Sequence, residues 1–238
     1  MLPVIGVIGG TGQQGLGLAL RWAAAGVPIV IGSRSRERAE AAADRIRTTA
    51  GPGRPPSSEA HHSPASGQEV PAGAPSVEGK DNLEAARSAE VIVVTVPASA
   101  HAETLEAIAA GVAGKILVDV TVPLAKNPSY AVQLPEGSAA EAAQRYFGPT
   151  ARVVAAFHTV PAALLQDLSR SVDCDVLVCG DDAAAKARIL DLAGAFGARA
   201  LDVGSLRQAH TLERLTALLI GLGRRVGRHE LGVRVTGL

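Results

Sequence analysis

The stretch that decides the fold is VIGVIGGTGQQG, at residues 4–15. Residues 4–8 form an apolar run with β-branched side chains, which predicts a buried strand. Glycines then interrupt the run, and apolar residues recur at helical spacing from residue 13 to residue 25. A strand, a glycine turn and a helix in this order favour a dinucleotide-binding unit, because the bare backbone of the turn can approach a pyrophosphate at the helix N-terminus. The turn matches the pattern G-x-G-x-x-G and supplies the candidate cofactor-binding residues Gly10, Thr11, Gly12, Gln13, Gln14 and Gly15.

The end of the next predicted strand indicates which dinucleotide is bound. Residues 28–31 predict a second buried strand, and residues 36–48 predict a helix rich in alanine and charge. NAD enzymes usually carry an acidic residue after this strand, where it binds the ribose 2′-hydroxyl. This chain instead carries Ser33, Arg34 and Arg38, and the two arginines are four residues apart, on one helical face. Hydrogen-bond donors and positive charge suit a 2′-phosphate, so the sequence predicts NADP rather than NAD.

The rest of the chain alternates strand and helix patterns, which predicts the α/β class with a doubly wound parallel sheet of Rossmann type. Prolines are frequent between residues 122 and 137, so we interpret this interval as a connection between two halves. The expected domains are an NADP-binding Rossmann domain over residues 1–125 and a smaller C-terminal α/β domain over residues 126–238. Further predicted strands cover 91–96, 116–120, 152–157, 175–179 and 198–201, and further predicted helices cover 82–89, 100–110, 138–147, 183–193 and 205–225.

Residues 50–75 are rich in Gly, Pro, Ser, Ala and His and follow no period. A segment of this composition cannot bury enough apolar surface to order itself, so we expect a mobile surface insertion. His61 and His62 lie in this segment without partner ligands at suitable spacing, and Cys174 and Cys179 lack the four-ligand pattern of a structural zinc site. The sequence therefore predicts no metal site.

Charge and hydropathy exclude two classes of partner. Lys plus Arg and Asp plus Glu both total 23, so the formal net charge is zero and no field draws in nucleic acid or an anionic membrane. The chain has no stretch of about 18 apolar residues and opens without a cationic leader, so we expect no membrane helix and a cytoplasmic location.

The predicted strand ends suggest what the second substrate is. In an open parallel sheet, ligands bind beyond the carboxyl ends of the strands. These ends carry small, apolar, proline-stiffened sequences at residues 96–97, 121–123 and 158–163, which suit flat aromatic rings better than charged chemistry. No nucleophile elbow, carboxylate pair or metal cluster stands out, and hydride transfer between two cofactors needs none of these. His158 admits two readings, a structural role at a strand end or a contact with bound rings.

Six motifs together carry a family resemblance. They are IGGTGQQG at the first turn, GSRSRERAE after the second strand, SAAE at a predicted helix start, FHTVPAA, VCGDD and ELGVRV. On these motifs the sequence resembles, over almost its whole length, the NADPH-dependent reductases of coenzyme F420, a deazaflavin. The resemblance implies reversible hydride transfer between NADP(H) and the deazaflavin, and it implies a homodimer.

The resemblance also implies roles for individual residues. Thr11, Gly12, Gln13 and Gln14 would meet the pyrophosphate, and the serine and arginines after the second strand would meet the 2′-phosphate. The nicotinamide half would be bordered by Val96, Pro97, His101, Val122, Ala162 and Leu231, and the deazaflavin would be faced by His158, Val160 and Pro161.

Two alternatives share the first motif. The enzymatic one is another NADP-dependent reductase, acting on a small imine or hydroxyacid. Such enzymes place a proton donor such as lysine near the nicotinamide, and Lys126 is the only lysine near a predicted strand end. The other alternative is a non-catalytic NADP-sensing protein.

Overall fold

The computed structural model describes residues 2–51 and 76–238. The predicted mobile insertion therefore lies outside the described residues except for its first two positions, and so do His61 and His62. Four short 3₁₀ turns lie at Ala98–Ala100, Ala109–Gly111, Gly148–Thr150 and Leu206–Gln208. In chain order the strands and helices of the described residues are β1 (Ile5–Ile8), α1 (Gln13–Ala24), β2 (Ile29–Ser33), α2 (Arg36–Ala50), β3 (Val77–Asp81), α3 (Asn82–Ser88), β4 (Val91–Val94), α4 (His101–Ile108), β5 (Ile116–Asp119), α5 (Ala139–Phe147), β6 (Arg152–Ala155), α6 (Ala162–Gln166), β7 (Val176–Gly180), α7 (Ala183–Gly194), β8 (Ala200–Asp202) and α8 (Ala209–Val226).

All eight strands belong to one sheet in the order β3-β2-β1-β4-β5-β6-β7-β8. The order reverses between β1 and β4, which is the topological switch point of a doubly wound fold. The α/β Rossmann-type prediction is confirmed. The strands after residue 125 continue the sheet of the first half, because β6 pairs in parallel with β5. The predicted division into two domains at residue 125 stays a prediction.

Among the described residues the sheet has one antiparallel pair of strands, between β6 and β7, in the half for which the sequence predicted only a smaller α/β domain. Apolar side chains from both faces of the sheet form two buried clusters, one against α1, α2 and α7 and the other against α3, α4 and α5. The four-residue strands β1, β4 and β5 are buried along their whole length, as expected for strands covered by helices on both faces.

Local sequence explains where several helices begin. The Ser35 hydroxyl accepts the Arg38 backbone N–H at the start of α2. The predicted S-x-x-E capping box is present at α5, where Ser138 Oγ accepts the Glu141 backbone N–H at 3.1 Å and also donates to the Glu141 carboxylate at 2.8 Å. At the start of α7, the Asp182 carboxylate accepts the Ala185 backbone N–H at 2.7 Å. These caps fix the helix starts that follow the carboxyl ends of strands.

Two elements were not predicted. Strand β3 has the sequence VEGKD, whose three charged residues hide a strand pattern; it lies at the edge of the sheet, where one side faces solvent. Helix α6 has five residues, too few to show helical periodicity.

The described residues contain no helix long and apolar enough to span a membrane.

Candidate cofactor-binding cleft

A cleft of about 710 Å³ lies at the carboxyl ends of β1, β2, β4 and β5, around the N-terminus of α1. Its position is the one that the doubly wound topology reserves for ligands. The predicted site residues among its walls are Thr11, Gly12, Gln13, Gln14, Ser33, Arg34, Arg38, Val96, Pro97, Val122 and His158. The walls also contain Thr121, from the predicted strand end at residues 121–123, and residues that the sequence did not single out, namely Gly9, Asn82, Thr95, Ala100, Thr104, Val120, Leu124 and Thr216.

The glycines of the turn divide into two kinds. A Cβ atom on Gly10 would lie 2.8 Å from the Val7 carbonyl oxygen, and one on Gly15 would lie 2.4 Å from Thr95 Oγ1, so the fold itself excludes side chains there. A Cβ atom on Gly12 would meet only the Gly9 carbonyl oxygen, at 3.5 Å, and its backbone is extended at φ −77°. The fold therefore tolerates a side chain at Gly12, and the missing Cβ leaves open the space that a ligand at the helix N-terminus would use.

A positively charged patch forms one end of the cleft. Arg34 and Arg38 both line it and form no ion pair with any described residue. Arg36, between them in sequence, is instead paired with Glu40 at 3.2 Å and Glu84 at 3.3 Å. The two cleft arginines thus keep their donors for an anion.

Ser33 and Asn82 lie beside this charged end. Ser33 is buried at the last position of β2, and its hydroxyl accepts the Ser35 backbone N–H at 3.4 Å. Asn82 begins α3, and its side-chain oxygen is buried without a hydrogen-bond partner among the described residues. Asn82 could not be predicted as a site residue, because nothing in its sequence neighbourhood distinguishes it from an ordinary helix start.

His158 lies at the opposite wall of the cleft with both ring nitrogens unpaired among the described residues. It is 6% exposed, and burial lowers the pKa of its imidazole to about 4, although the negative charge of Asp119 acts in the other direction. The ring is therefore neutral near pH 7, with one N–H donor and one acceptor available. The preceding residue, Phe157, has a φ of 67°, which is rare for a side chain of this size.

His101 does not line the cleft. Its Nε2 lies 2.6 Å from Asp119 Oδ2 in a buried pair, and the other Asp119 oxygen accepts the Thr121 backbone N–H at 2.9 Å. Burial alone would lower the pKa of His101, but the hydrogen bond and charge of Asp119 outweigh it and raise that pKa. The structure thus gives His101 a supporting contact behind the cleft, and its predicted contact with the nicotinamide stays a prediction.

The remaining predicted residues lie next to the cleft rather than in its walls. Val160 is buried in the core, Pro161 precedes α6, and Ala162 is its first residue. Leu231 lies near α8, where its Cδ1 would be 3.8 Å from a Cβ atom on Gly223. Contact of these four residues with the nicotinamide or the deazaflavin stays a prediction.

Unpaired polar atoms are concentrated in this one cleft. Within the described residues, the buried side-chain nitrogen and oxygen atoms without a hydrogen-bond partner are Asn82 Oδ1, Thr121 Oγ1 and both ring nitrogens of His158. All three residues line the cleft. Buried polar groups are rarely left unpaired, because each costs about 1–3 kcal/mol, so these atoms are places where water or a ligand can supply the partner.

A glycine turn at the start of α1 and a cleft at the switch point of the sheet are the features of the dinucleotide-binding class of Rossmann proteins. A family model described as NADP oxidoreductase, coenzyme F420-dependent, matches residues 4–123. The chain belongs to this family of F420-dependent NADP oxidoreductases, which confirms the resemblance read from the motifs.

Relatives and solved structures agree with this family. The F420-dependent NADP reductase of Methanothermobacter thermautotrophicus is 40% identical over 244 residues, covering 100% of this chain and 97% of the relative. That of Methanocaldococcus jannaschii is 36% identical, covering 98% of each chain. A crystal structure assigned as an F420-dependent NADP reductase from Arthrobacter sp. FB24 superposes over 100% of both chains with a TM-score of 0.75 and 27% identity. An imine reductase from Bacillus cereus, 14% identical over 94% of this chain and 62% of its own, has a TM-score of 0.60 and shares the fold.

Proposed function

We propose that the protein transfers a hydride reversibly between NADP(H) and coenzyme F420. The balanced reaction is NADPH + F420 + H⁺ giving NADP⁺ + F420H₂. The observation that carries the proposal is the cleft itself. At one end lie the glycine turn and Arg34 and Arg38, which form no ion pair with a described residue. At the other end lies the neutral His158, whose ring nitrogens have no hydrogen-bond partner among the described residues. Relatives named F420-dependent NADP reductase, similar over the whole chain, support the same pair of substrates.

The residues at the charged end would hold the dinucleotide. Backbone N–H groups at the start of α1 point towards the cleft, and the helix dipole favours a pyrophosphate there. The hydroxyl of Ser33 and the guanidinium groups of Arg34 and Arg38 would donate to the 2′-phosphate. Asn82, with an unpaired oxygen in the same part of the wall, would accept a hydrogen bond from the bound nucleotide.

The residues at the other end would hold two flat rings together. Val96, Pro97 and Val122 give this part of the cleft a small apolar surface, which suits stacked rings. When bound, the nicotinamide and the deazaflavin supply the hydride donor and acceptor carbons. The protein contributes their orientation, exclusion of water, and hydrogen bonds from neutral groups such as His158 and Thr121.

Mixing the purified protein with NADPH and oxidised F420 tests the proposal directly. The deazaflavin absorbance should bleach as the hydride is transferred, while flavin mononucleotide should be a poor acceptor. Absence of bleaching across a broad pH range would overturn the assignment. Turnover of a small imine or hydroxyacid would then support a different NADP-dependent reductase, and tight NADPH binding without any turnover would support a sensing protein.

We also propose that two copies of the chain associate and act in the cytoplasm without nucleic acid. An apolar stripe on α8 supports association: Leu218, Leu222 and Val226 are four residues apart and exposed by 63%, 47% and 55%. Thr216, on the same helix, lines the cleft. A partner covering the stripe would therefore also stabilise one wall of the cleft.

A further inference from the structure

Helix α1 contacts both ends of the cleft. Its N-terminus carries the glycine turn, and the side chain of Gln14, in its first turn, reaches across to the segment that bears His158. Gln14 Nε2 donates to the Phe157 carbonyl oxygen at 3.1 Å and to the Val160 carbonyl oxygen at 3.3 Å. The two carbonyls flank His158 in sequence, so one side chain holds both sides of the loop that presents this histidine to the cleft.

This use of Gln14 leaves no side-chain donor for a phosphate. A glutamine amide has two N–H groups, and each of them faces one of the two carbonyls. The contact of Gln14 with the pyrophosphate, implied by the family resemblance, would then fall to its backbone N–H. The positive φ of Phe157 is a strained conformation, which persists only where surrounding contacts hold it.

Three more contacts hold the chain on either side of the loop against α1. The guanidinium of Arg21 is buried and donates to the carbonyls of Leu164, Leu165, Asp167 and Arg170, at the end of α6. Gly17 allows close approach, because a Cβ atom there would lie 2.7 Å from Leu165 Cβ. The Trp22 ring packs edge-on against Phe157 with centroids 5.5 Å apart. Between these two anchors, the Gln14 amide supplies the side-chain hydrogen bonds that join the loop to α1.

We propose that Gln14 is a positioning residue that sets the separation of the two redox rings, through its hold on the 157–160 loop. The proposal rests on the proposed function, since hydride transfer needs the donor and acceptor carbons within about 3–3.5 Å. Loss of the two hydrogen bonds frees the loop, and the deazaflavin wall then moves relative to the nicotinamide. Binding of NADPH, which depends on backbone groups and the arginines, is unaffected.

The test compares Gln14→Leu with Gln166→Leu. Gln166 makes a matched control because its Nε2 donates to the Gln13 carbonyl oxygen at 3.1 Å, so its loss also removes a glutamine hydrogen bond between α1 and α6 but leaves the His158 loop untouched. In Gln14→Leu, kcat for F420 reduction should fall by about 10- to 100-fold. The NADPH Kd should stay within about threefold of the wild type. The deuterium isotope effect with NADPH labelled at the transferred hydrogen should become more temperature-dependent.

A measurement that does not need turnover separates this inference from the proposed function. Hydrogen exchange of residues 157–160 should be faster in Gln14→Leu and unchanged in Gln166→Leu. Equal exchange and equal kcat in the two variants would overturn the inference, as would weaker NADPH binding with unchanged hydride transfer. If the wild type fails to reduce F420, the proposed function fails, and the exchange data still decide whether Gln14 holds the loop.

Discussion

Three arginines within five residues show how neighbours in sequence acquire different roles. Arg36 is fixed by Glu40 and Glu84, so its charge is compensated within the protein. Arg34 and Arg38 face the cleft without such partners in the described chain. Sequence spacing predicted that Arg34 and Arg38 share a helical face, but α2 begins at Arg36, so Arg34 lies before the helix. Both arginines nevertheless line the cleft, and the intervening Arg36 is already paired.

Replacing Arg34 and Arg38 together by alanine should erode the preference for NADPH. Each lost charged hydrogen bond to the 2′-phosphate costs about 1.5–3 kcal/mol, while NADH carries only a neutral hydroxyl at that position. The ratio of NADPH to NADH affinity, measured by titration, should therefore fall steeply, with NADH binding little changed. Arg36→Ala is the control and should keep the wild-type ratio. Comparable NADPH and NADH affinities in the unmutated protein would contradict this reading.

The roles of individual residues could be predicted where they depend on neighbours that are close in sequence. Sequence spacing predicted the turn glycines and the arginines after β2. Gly12, Arg34 and Arg38 line the cleft, whereas Gly10 and Gly15 are glycines because the fold leaves no space for a side chain there. Asn82 was missed because its importance comes from lacking a partner in three dimensions. Thr121 belongs to a predicted strand end, but its unpaired hydroxyl could not be predicted from the sequence. The pairing of His101 with Asp119 was missed for the same reason, since residues 18 positions apart meet only after α4 packs on the sheet.

At the scale of elements, α8 and α5 are joined by a buried carboxyl group. Glu213 on α8 is 2% exposed and accepts the backbone N–H of Ala139, the first residue of α5, at 2.7 Å. Burial raises the pKa of Glu213 to about 8, with the nearby charge of Asp119 adding to the effect and the Ala139 hydrogen bond opposing it. Near neutral pH the group is therefore mostly protonated in the folded protein.

The raised pKa makes stability depend on pH. Between about pH 4.5 and pH 8 the unfolded chain releases the Glu213 proton and the folded chain keeps it, so the free energy of unfolding falls as pH rises through this window. The contribution lost is on the order of 5 kcal/mol. Glu213→Gln keeps an oxygen for Ala139 and removes the titration, so denaturant unfolding should show it more stable than the wild type at pH 8 and similar at pH 5.

The control for this pH series is Glu103→Gln, at an exposed position of α4. It should follow the wild-type pH dependence throughout. Wild-type and Glu213→Gln stabilities that change in parallel between pH 5 and pH 8 would show that the buried carboxyl ionises normally and would contradict the prediction.

At the scale of the whole molecule, we expect a second copy of the chain to cover the exposed apolar stripe on α8. The run ALLIGL at residues 217–222 is apolar on every side of the helix, and helices of this kind are normally buried all round. Tyr130 and Val132, exposed by 64% and 47%, add to the apolar surface of this half of the chain. A homodimer would remove this surface from water.

Light scattering should therefore give twice the chain mass of 24.2 kDa. Leu218→Glu places a charge in the proposed contact and should yield the monomer, because burying an unpaired carboxylate is costly. Leu238→Glu changes another exposed leucine, at the chain end, and should leave the dimer intact. A monomeric wild type at micromolar concentration would refute the association.

The global topology was only partly predictable. Alternating strands and helices predicted the parallel sheet up to β6, because each crossover helix returns the chain in the same direction. The reversal at β7 follows the 156–175 segment, in which α6 is too short to act as a full crossover, so the chain re-enters the sheet at the end from which β6 left it. Nothing in the composition of β7 distinguishes an antiparallel strand from a parallel one, so this step needed the structure.

The packing of Trp22 gives the molecule a built-in optical reporter. It is the single tryptophan of the chain, fully buried, with its indole N–H donating to the Leu192 carbonyl at 2.8 Å and its ring against Phe157 and Phe196. All tryptophan emission therefore originates at one junction, where α1, the segment before His158 and α7 meet. Loosening of that junction would change the colour and lifetime of the emitted light, which makes the movement of the two cofactor walls visible without any label.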